Sequence, residues 1–286
     1  MNQTINQKGQ WEAGMIAYFT KHKVIFFYLF AFTISWTAWT AMGLLYQGNS
    51  VPSGSTDYFF LLVPSTIGGL GPLFALMISE KLTGKEVELE KIVSTAKIRG
   101  VSKLWFIPAI FAYPIIAILG NLLSFLAGWE NQLILIKPGP DTLGLFVLPI
   151  MAIHFTASLV TSPLFEEPGW RGFALTNLQA RFGTLIGSII VGALWWLWHQ
   201  PMNITFGIQP SVYGFLSMVA FSFMIDSLFN LSGKNLFTAM LAHQSSGTLF
   251  IFIFEGQQNL FTLIMLIAFA FILRLKEFKR KKGLKH

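Results

Sequence analysis

Two adjacent carboxylates and an arginine stand out in the segment SPLFEEPGWRGF, which places Glu166, Glu167 and Arg171 within apolar sequence. A histidine, His199, follows in the segment WWLWHQP. Ionisable side chains at membrane depth are expensive to bury, so by default they mark a functional site. A carboxylate and a histidine together can activate a water molecule, and a neighbouring cation can orient them or stabilise negative charge. The residue types therefore predict a hydrolytic site in this part of the chain.

The spacing within the first segment gives the two carboxylates different surroundings. Glu167 and Arg171 are four residues apart, the spacing of an ion pair on one helix face. Pro168 cannot donate a backbone hydrogen bond, so we expect the helix to bend or restart at Glu167. Such a break at membrane depth is tolerated where it is buried in protein or lines a water-filled cavity. Glu166 is turned by about 100° from Glu167, so one carboxylate can pair with Arg171 while its neighbour faces the cavity.

Distances along the chain predict that Glu166 and His199 lie at the same depth. With a turn at Phe182–Gly183, each of them is 16 residues from the turn, which corresponds to about 24 Å in a helix. We therefore predict two antiparallel helices joined at this turn, with a site inside the membrane that opens to the cytoplasmic side. The alternative is structural, because a buried glutamate–arginine pair or a packed histidine can simply hold helices together.

A second histidine, His243, lies in an unusually polar stretch of a later apolar segment, where Gln244, Ser245 and Ser246 follow it. We expect His243 to join the site from a neighbouring helix, with a packing role as the alternative. Ser246 and Trp195 are the candidate substrate-binding residues. For Trp195, helix packing is again the alternative.

Two other ionisable residues are expected to lie outside the site. Asp226, late in its apolar segment, is expected to face the cytoplasmic interface or to cap the turn at 230–234, with lining of the site as the alternative. His154 lies 12 residues before Glu166, about 18 Å along a helix, and is interpreted as structural.

The composition predicts that membrane helices position these residues. The chain of 286 residues is 53% hydrophobic and 12% charged, with a mean hydropathy of +0.59, whereas an average soluble domain is about 25% charged. It has no cysteine, which excludes disulfides, thiolate metal ligands and a cysteine nucleophile. A bilayer crossing needs about 20 mostly apolar residues. Eight segments approach this length: 24–46, 58–79, 104–127, 143–165, 184–200, 211–231, 235–254 and 259–275.

The predicted fold is an all-α polytopic membrane protein with about eight transmembrane helices and an active-site cavity inside the bundle. We treat residues 1–286 as a single membrane domain, with a motif-bearing core at 143–254 and a basic cytoplasmic tail at 274–286. With these spans, nineteen of the 20 lysines and arginines fall on one side, and only Lys137 falls on the other. The positive-inside rule makes that side cytoplasmic and places both termini there.

The charge distribution also bears on partners. The net charge of +7 is explained by topology, so we expect a lipid bilayer as the partner surface and no nucleic acid. Segment 80–103 mixes both charge signs at helical spacing. We predict an amphipathic helix on the cytoplasmic bilayer surface there, with a binding role as the less favoured reading.

Three short motifs resemble those of one family. EEPGWRGF resembles the EExxxR motif of the CPBP family of intramembrane proteases, which comprises CAAX proteases and bacteriocin-processing enzymes. WWLWHQP resembles the family's FxxxH motif, and LAHQSSG resembles its HxxxN motif. The resemblance covers about 100 residues, from Ser162 to Phe254, and the order of the three motifs makes it specific.

The resemblance implies a role for each residue. Glu166 is similar to the glutamate that activates the water, with His199 as its partner. Glu167 and Arg171 would support and orient the site, and His243 would help to form the oxyanion hole. The substrate implied is a peptide or membrane protein, associated with the membrane or lipidated, and the location expected is a bacterial plasma membrane.

The sequence departs from the family pattern at two positions. Trp195 stands where the second motif usually has phenylalanine. Gly247 stands where the last motif usually has asparagine, so the second oxyanion donor is missing unless Ser246 or Gln244 replaces it. A non-catalytic protein that binds a bacteriocin-like peptide or a membrane partner is therefore the second hypothesis, and a proton-coupled transporter is the third.

A metal-dependent mechanism is the alternative to a glutamate peptidase. Glu166, His199 and His243 could form a zinc site with two histidines and one glutamate. The sequence has no HExxH pattern, which would place two ligands one helical turn apart. The neighbouring cation of Arg171 also argues against a second positive centre. We therefore expect no cofactor.

Overall fold

The computed structural model describes residues 2–46, 66–84, 87–129, 147–160, 162–252 and 259–283. Within these ranges the chain is helical and contains no strand. A 3₁₀-helix at Lys103–Trp105 precedes α5, and a π-helix at Pro168–Leu175 connects α7 with α8. The helices in chain order are α1 (Asn2–Lys21), α2 (Lys23–Tyr46), α3 (Gly71–Leu82), α4 (Leu89–Val93), α5 (Phe106–Leu126), α6 (Val147–Leu159), α7 (Ser162–Glu167), α8 (Thr176–Trp198), α9 (Gln200–Thr205), α10 (Val212–Leu231), α11 (Leu236–Phe252) and α12 (Leu260–Gly283).

The predicted fold class is confirmed. The protein is an all-α polytopic membrane protein. Each of the eight predicted segments overlaps a helix, although 58–65, 143–146 and 253–254 lie outside the described residues. The exact number of crossings stays a prediction. Four stretches of the described chain are long and apolar enough to cross a membrane: Lys23–Leu44, Lys103–Leu126, Pro149–Thr205 and Val212–Leu231.

The motif-bearing helices lie in the interior of the bundle. α8 packs against α10, and α10 packs against α12, while α11 packs against α5 and α2 lies along α3. Trp170, Trp195, Trp198 and Arg171 are among the largest fully buried side chains. Large apolar residues such as Ile25, Phe111 and Ile272 point outwards instead, as expected for a surface that faces lipid. The predicted site is therefore part of the protein core.

The predicted amphipathic helix at 80–103 is wrong. α3 ends at Leu82, α4 has only five residues, and the remainder of the described segment is turns and bends. The backbone carbonyls of Thr95 and Lys97 accept hydrogen bonds from Asn235 Nδ2, at 3.0 and 2.7 Å. The contact with Asn235 therefore anchors this non-helical segment to the residue that precedes α11. Lys85 lies outside the described residues.

The basic C-terminal region begins as packed helix. α12 runs to Gly283, and residues 284–286 lie outside the described part. Arg274 Nη1 donates to Glu277 Oε2 at 2.6 Å, and Arg280 Nη1 donates to the carbonyl of Leu231 at 2.5 Å. Glu277 is only 3% exposed. The region predicted as a basic tail therefore contributes buried contacts as well as positive charge.

Candidate active site

The two main motifs lie on a helical hairpin that turns at Gly183, so α8 (Thr176–Trp198) consists of two helices that meet at this glycine. The φ and ψ angles of Gly183 are 81° and 166°, a conformation that is essentially restricted to glycine. We name residues 162–182 the first arm and residues 184–198 the second arm. The side chain of Gln179 on the first arm donates from Nε2 to Ser188 Oγ on the second arm at 3.1 Å. The predicted hairpin and its turn are therefore present.

The helix bend that Pro168 predicts takes the form of a π-helix. α7 ends at Glu167, and the chain continues without a break as the π-helix Pro168–Leu175. Proline has no N–H to donate to the preceding turn, and π-helical turns in membrane and soluble proteins often occur at functional sites. All residues of this π-helix except Gly172 are buried. The altered helix therefore lies inside the protein, as a break at membrane depth requires.

Arg171 is the centre of a buried charge cluster. Its Nη1 donates to Glu167 Oε1 at 2.9 Å, and its Nε donates to Asp226 Oδ1 at 3.0 Å. Its Nη2 donates to Ser222 Oγ at 2.9 Å, and its guanidinium carbon lies 4.5 Å from the ring centre of Trp195. Arg171, Glu167 and Asp226 are all 0% exposed. The predicted pair of Glu167 with Arg171 is present, and it belongs to a larger network.

Glu166 is held by different partners. Its Oε1 accepts a hydrogen bond from Ser162 Oγ at 2.6 Å, and its Oε2 accepts one from Trp195 Nε1 at 3.0 Å. The residue is 3% exposed. Ser162 comes from the same arm, whereas Trp195 comes from the second arm. Each carboxylate oxygen therefore has one donor and keeps one further lone pair for a water molecule or a substrate proton.

His199 lies one helical turn beyond Trp195 and is surrounded by tryptophans. Its Nδ1 lies 2.8 Å from the backbone carbonyl of Trp195. Since a carbonyl only accepts, Nδ1 carries the proton, and Nε2 is the acceptor in the neutral ring. The ring centres of Trp198 and Trp195 lie 4.7 and 5.3 Å away, and Trp39 stacks at 6.4 Å. Trp195 therefore contacts Glu166 through its side chain and His199 through its backbone.

His243 joins the cluster from α11. Its Nδ1 donates to Glu167 Oε1 at 2.7 Å, and its ring meets the edge of Trp195 at 5.0 Å. Ser246 Oγ donates to the carbonyl of His243 at 2.9 Å. The structure thus brings the five predicted catalytic residues together around Trp195, with His243 next to Glu167.

The prediction for Asp226 is wrong. Asp226 does not face the cytoplasmic interface or cap a turn, because it is fully buried and bonded to Arg171. Ser222, one helical turn earlier on α10, contacts the same guanidinium. The sequence contained one signal of this buried role, because Asp226 is the single charged residue in a helix of 20 residues. A buried carboxylate requires a cationic or hydrogen-bonding partner, and Arg171 provides it.

The remaining predictions concern His154, a metal site, the cavity and the oxyanion hole. His154 lies on α6 with its Nε2 3.3 Å from Ser158 Oγ, which agrees with a structural interpretation. Among the described residues, no group of three or more histidine, aspartate and glutamate side chains is arranged to hold a metal ion. The cavity beside Glu166 and the oxyanion role of His243 stay predictions.

The region of the chain that forms this site is similar to known proteins. Residues 148–249, which contain all three motifs, match the family model described as type II CAAX prenyl endopeptidase Rce1-like. The chain is also 26% identical over 183 residues to CAAX prenyl protease 2 of Methanococcus maripaludis, an alignment that spans 64% of this chain and 63% of that protein. The region that carries the three motifs is therefore similar to type II CAAX prenyl endopeptidases.

Further similar proteins come from staphylococci. The chain is 29% identical over 94 residues to lysostaphin resistance protein A of Staphylococcus haemolyticus, covering 32% of this chain and 25% of that protein. It is 27% identical over 145 residues to lysostaphin resistance protein A of Staphylococcus epidermidis, covering 50% and 35%. The chain thus spans less than two thirds of the length of each of these relatives.

Proposed function

We propose that this chain is an intramembrane endopeptidase of the CPBP family, in which Glu166 and His199 activate a water molecule. The observation that carries the proposal is the division of labour between the two glutamates. Arg171 and His243 both bond to Glu167 Oε1, whereas the donors to Glu166 among the described residues are two uncharged groups. Glu166 is therefore the carboxylate that can accept a proton without breaking an ion pair. We also propose that the chain is divided into a motif-bearing core at 143–254 and a basic cytoplasmic tail at 274–286.

The proposed reaction is general-base hydrolysis of a peptide bond. Glu166 takes a proton from the water, and the water oxygen adds to the scissile carbonyl carbon. The C–N bond then breaks, and the proton passes from Glu166 to the departing amine nitrogen. His199 orients the same water by accepting a hydrogen bond at Nε2, because its Nδ1–H is held by the carbonyl of Trp195.

His243 is proposed to stabilise the oxyanion. Its Nδ1–H already points at Glu167, so donation from Nε2 to a substrate oxygen requires the imidazolium form. Arg171 in turn holds Glu167 in place. Ser246 is half-buried next to His243, which supports its proposed role in substrate binding.

Trp195 takes a positioning role in this proposal in place of the predicted substrate contact. Its side chain is 1% exposed, and its N–H is already bonded to Glu166. It contacts four of the five predicted catalytic residues through a hydrogen bond, a cation–π contact and two ring contacts. A buried side chain with these partners fixes the positions of its neighbours.

The substrate is proposed to be a membrane-associated or lipidated peptide or protein that enters from the cytoplasmic side. Similarity to a CAAX prenyl protease and to lysostaphin resistance proteins supports this class. Location in a bacterial plasma membrane, with both termini cytoplasmic, belongs to the same proposal and rests on the charge distribution.

We favour a metal-free mechanism, because the Arg171 cation lies in the same cluster as the alternative zinc ligands and would repel a second positive centre. Zinc bound by Glu166, His199 and His243 is the alternative. A second candidate function, a non-catalytic membrane protein that binds a bacteriocin-like peptide or another partner, is favoured by Gly247 in place of the usual asparagine.

The experiment is peptide cleavage by the detergent-purified chain. The probe is a fluorescence-quenched, farnesylated peptide with a CAAX-type end, assayed with and without a strong chelator. Glu166→Gln keeps the shape of the side chain and removes the base, so we expect cleavage to be lost. The matched control is Glu12→Gln, which changes an exposed glutamate of α1 and leaves cleavage unchanged.

Each other outcome assigns a different function. Loss of cleavage on chelation, with recovery on adding zinc, would indicate that Glu166, His199 and His243 are metal ligands. Full activity in Glu166→Gln would overturn the proposed mechanism. A folded protein that cleaves no peptide of a prenylated and unprenylated panel, but binds one of them, would support the non-catalytic alternative.

A further inference from the structure

Five polar side chains form a closed ring of hydrogen bonds, which we name the polar ring. Gln179 Nε2 and Arg274 Nη2 both donate to Ser188 Oγ, at 3.1 and 2.9 Å. Arg274 Nη1 donates to Glu277 Oε2 at 2.6 Å. Asn230 Nδ2 closes the ring by donating to Glu277 Oε1 at 3.3 Å and to Gln179 Oε1 at 3.2 Å. The ring therefore joins both arms of the hairpin to α10 and α12.

The polar ring is a built feature of the interior. Ser188 is 0% exposed and Glu277 is 3% exposed, and the Arg274 side chain is 11% exposed. The Arg274 guanidinium carbon also lies 4.2 Å from the ring centre of Phe223. A buried ion pair adds little to stability compared with well-packed apolar residues, and in some proteins it instead fixes one arrangement of the chain. The proposed hydrolysis uses none of these five residues.

The polar ring lies near the Gly183 turn, where the two arms pack closely against each other. A Cβ added to Gly187 would lie 2.8 and 2.9 Å from the backbone N and Cα of Gln179, so the arms pack backbone to backbone here. Ser188 precedes Trp195 by seven residues, which is about 10 Å along a helix. Asn230 of the ring and Asp226 of the Arg171 cluster are four residues apart on α10, which is one helical turn. The ring is thus connected to the Arg171 cluster.

We propose that the polar ring holds the two arms in register and that Arg274 is a positioning residue for Glu166 and His199. Arg274 lies on α12, outside the residues 148–249 that match the family model. Its planar fork serves Glu277 and Ser188 at the same time, whereas a lysine ammonium would reach only one of them with similar geometry. Loss of the fork lets one arm slide against the other, which displaces Trp195 from Glu166.

The kinetic test rests on the proposed function. Displacement of a reacting group by about 1 Å can lower a rate by about 10²-fold. Arg274→Ala is therefore expected to lower kcat by about 10-fold or more in the farnesylated-peptide assay, with KM changed by less than about 2-fold. Arg274→Lys should recover part of the loss. The control Lys279→Ala removes one exposed cation from the same helix and should leave both constants unchanged.

A second measurement does not depend on cleavage. The chain has no cysteine, so Leu164→Cys and Leu197→Cys provide one exposed labelling site on each arm. Spin labels at these positions report the inter-arm distance by double electron–electron resonance in phosphatidylcholine–phosphatidylglycerol nanodiscs. With Arg274→Ala added, we expect the distance distribution to shift or broaden, and with Lys279→Ala added we expect no change. If Arg274→Ala does not fold, Ser188→Ala replaces it in both measurements.

The outcomes separate the two proposals. An unchanged distance distribution in Arg274→Ala and Ser188→Ala would overturn the positioning role, whether or not the chain cleaves the peptide. A raised KM with unchanged kcat would also contradict it. A shifted distribution in a chain that cleaves nothing would support the polar ring as a clamp and count against the proposed hydrolysis alone.

Discussion

The indole N–H of Trp195 donates to Glu166 Oε2 at 3.0 Å, across the gap between the two arms of the hairpin. This bond and the Trp195 carbonyl, which accepts from His199 Nδ1 at 2.8 Å, tie one residue to both members of the proposed catalytic pair. In the related motif, phenylalanine is usual at this position. The present chain therefore has an indole donor where the FxxxH motif that it resembles has only an apolar ring.

Replacement of Trp195 by phenylalanine tests this bond. Trp195→Phe keeps an aromatic ring against Arg171 and His243 but removes the donor to Glu166. A hydrogen bond to a charged group contributes about 1.5–3 kcal/mol, so we expect a loss of stability of that order. We also expect a fall in kcat. Unfolding titrations in mixed micelles and peptide-cleavage kinetics measure the two effects.

The neighbouring Trp196→Phe is the matched control for Trp195→Phe. Trp196 is half-buried and packs against Phe215, away from Glu166. We expect its replacement to change stability by less than about 1 kcal/mol and to leave kcat unaltered. Equal effects of the two substitutions would show that the bond to Glu166 has no special role.

Removal of the Asp226 carboxylate is expected to be strongly destabilising. Asp226→Ala leaves Arg171 with one carboxylate in place of two, and breaking a buried ion pair from one side costs about 3–5 kcal/mol. Asp226→Asn keeps the shape and one acceptor oxygen and should lose less. The comparison is made by unfolding in mixed micelles.

A surface ion pair gives the control for Asp226. Glu88 and Lys91 lie 3.6 Å apart with side chains 56% and 76% exposed, and exposed pairs contribute about 0–1 kcal/mol. Glu88→Ala is therefore expected to change the unfolding free energy by less than about 1 kcal/mol. The network assignment fails if Asp226→Ala is as mild as Glu88→Ala.

The fork of Arg171 gives a third prediction. Arg171→Lys keeps the positive charge, but an ammonium cannot reproduce three bonds to Glu167, Asp226 and Ser222 in one plane. We expect lower stability and at least about a 10-fold lower kcat/KM, which corresponds to about 1.4 kcal/mol. Arg181→Lys, at an exposed position, should match the parent chain. Parent-like activity in Arg171→Lys would mean that charge alone is sufficient.

The turn of the hairpin gives a fourth prediction. Gly183→Ala forces an L side chain into a backbone conformation of φ 81°, and strain of this kind amounts to about 1–3 kcal/mol. Gly14→Ala is the control, because Gly14 lies inside α1 and a Cβ there meets nothing within 4 Å. It should be neutral or stabilising by up to about 1 kcal/mol. Similar unfolding free energies for the two variants would argue against a strained turn.

Sequence reasoning predicted those features that depend on local spacing. The turn at Gly183, the pair of Glu167 with Arg171 and the helix bend at Pro168 each follow from a few neighbouring residues. The convergence of Glu166 with the Trp195–His199 turn follows from equal distances to the turn. Local rules suffice here because a short antiparallel hairpin has few alternative arrangements.

Features that depend on how distant helices rotate could not be predicted. Asp226 was expected to lie at the interface, because nothing in the spacing of α10 states which of its faces meets Arg171. Asn235 donates hydrogen bonds to carbonyls about 140 residues earlier in the chain, and the segment that it contacts is not the helix that charge spacing predicts at 80–103. The hydrogen bond from Trp195 to Glu166 could not be predicted either, so Trp195 was interpreted as a substrate contact or as helix packing.

The π-helix at Pro168–Leu175 bears on how related sequences are compared. Its i to i+5 hydrogen bonding accommodates one residue more than an α-helical turn would, so the chain before it and the chain after it are out of phase. A one-residue deletion in this stretch would restore an ordinary helix and swing Glu166 and Glu167 round relative to the Gly183 turn. Related sequences that differ by one residue between the glutamates and this turn would then share the motif residues but not their geometry. The position of a one-residue gap in an alignment would therefore indicate whether the geometry of the site is kept.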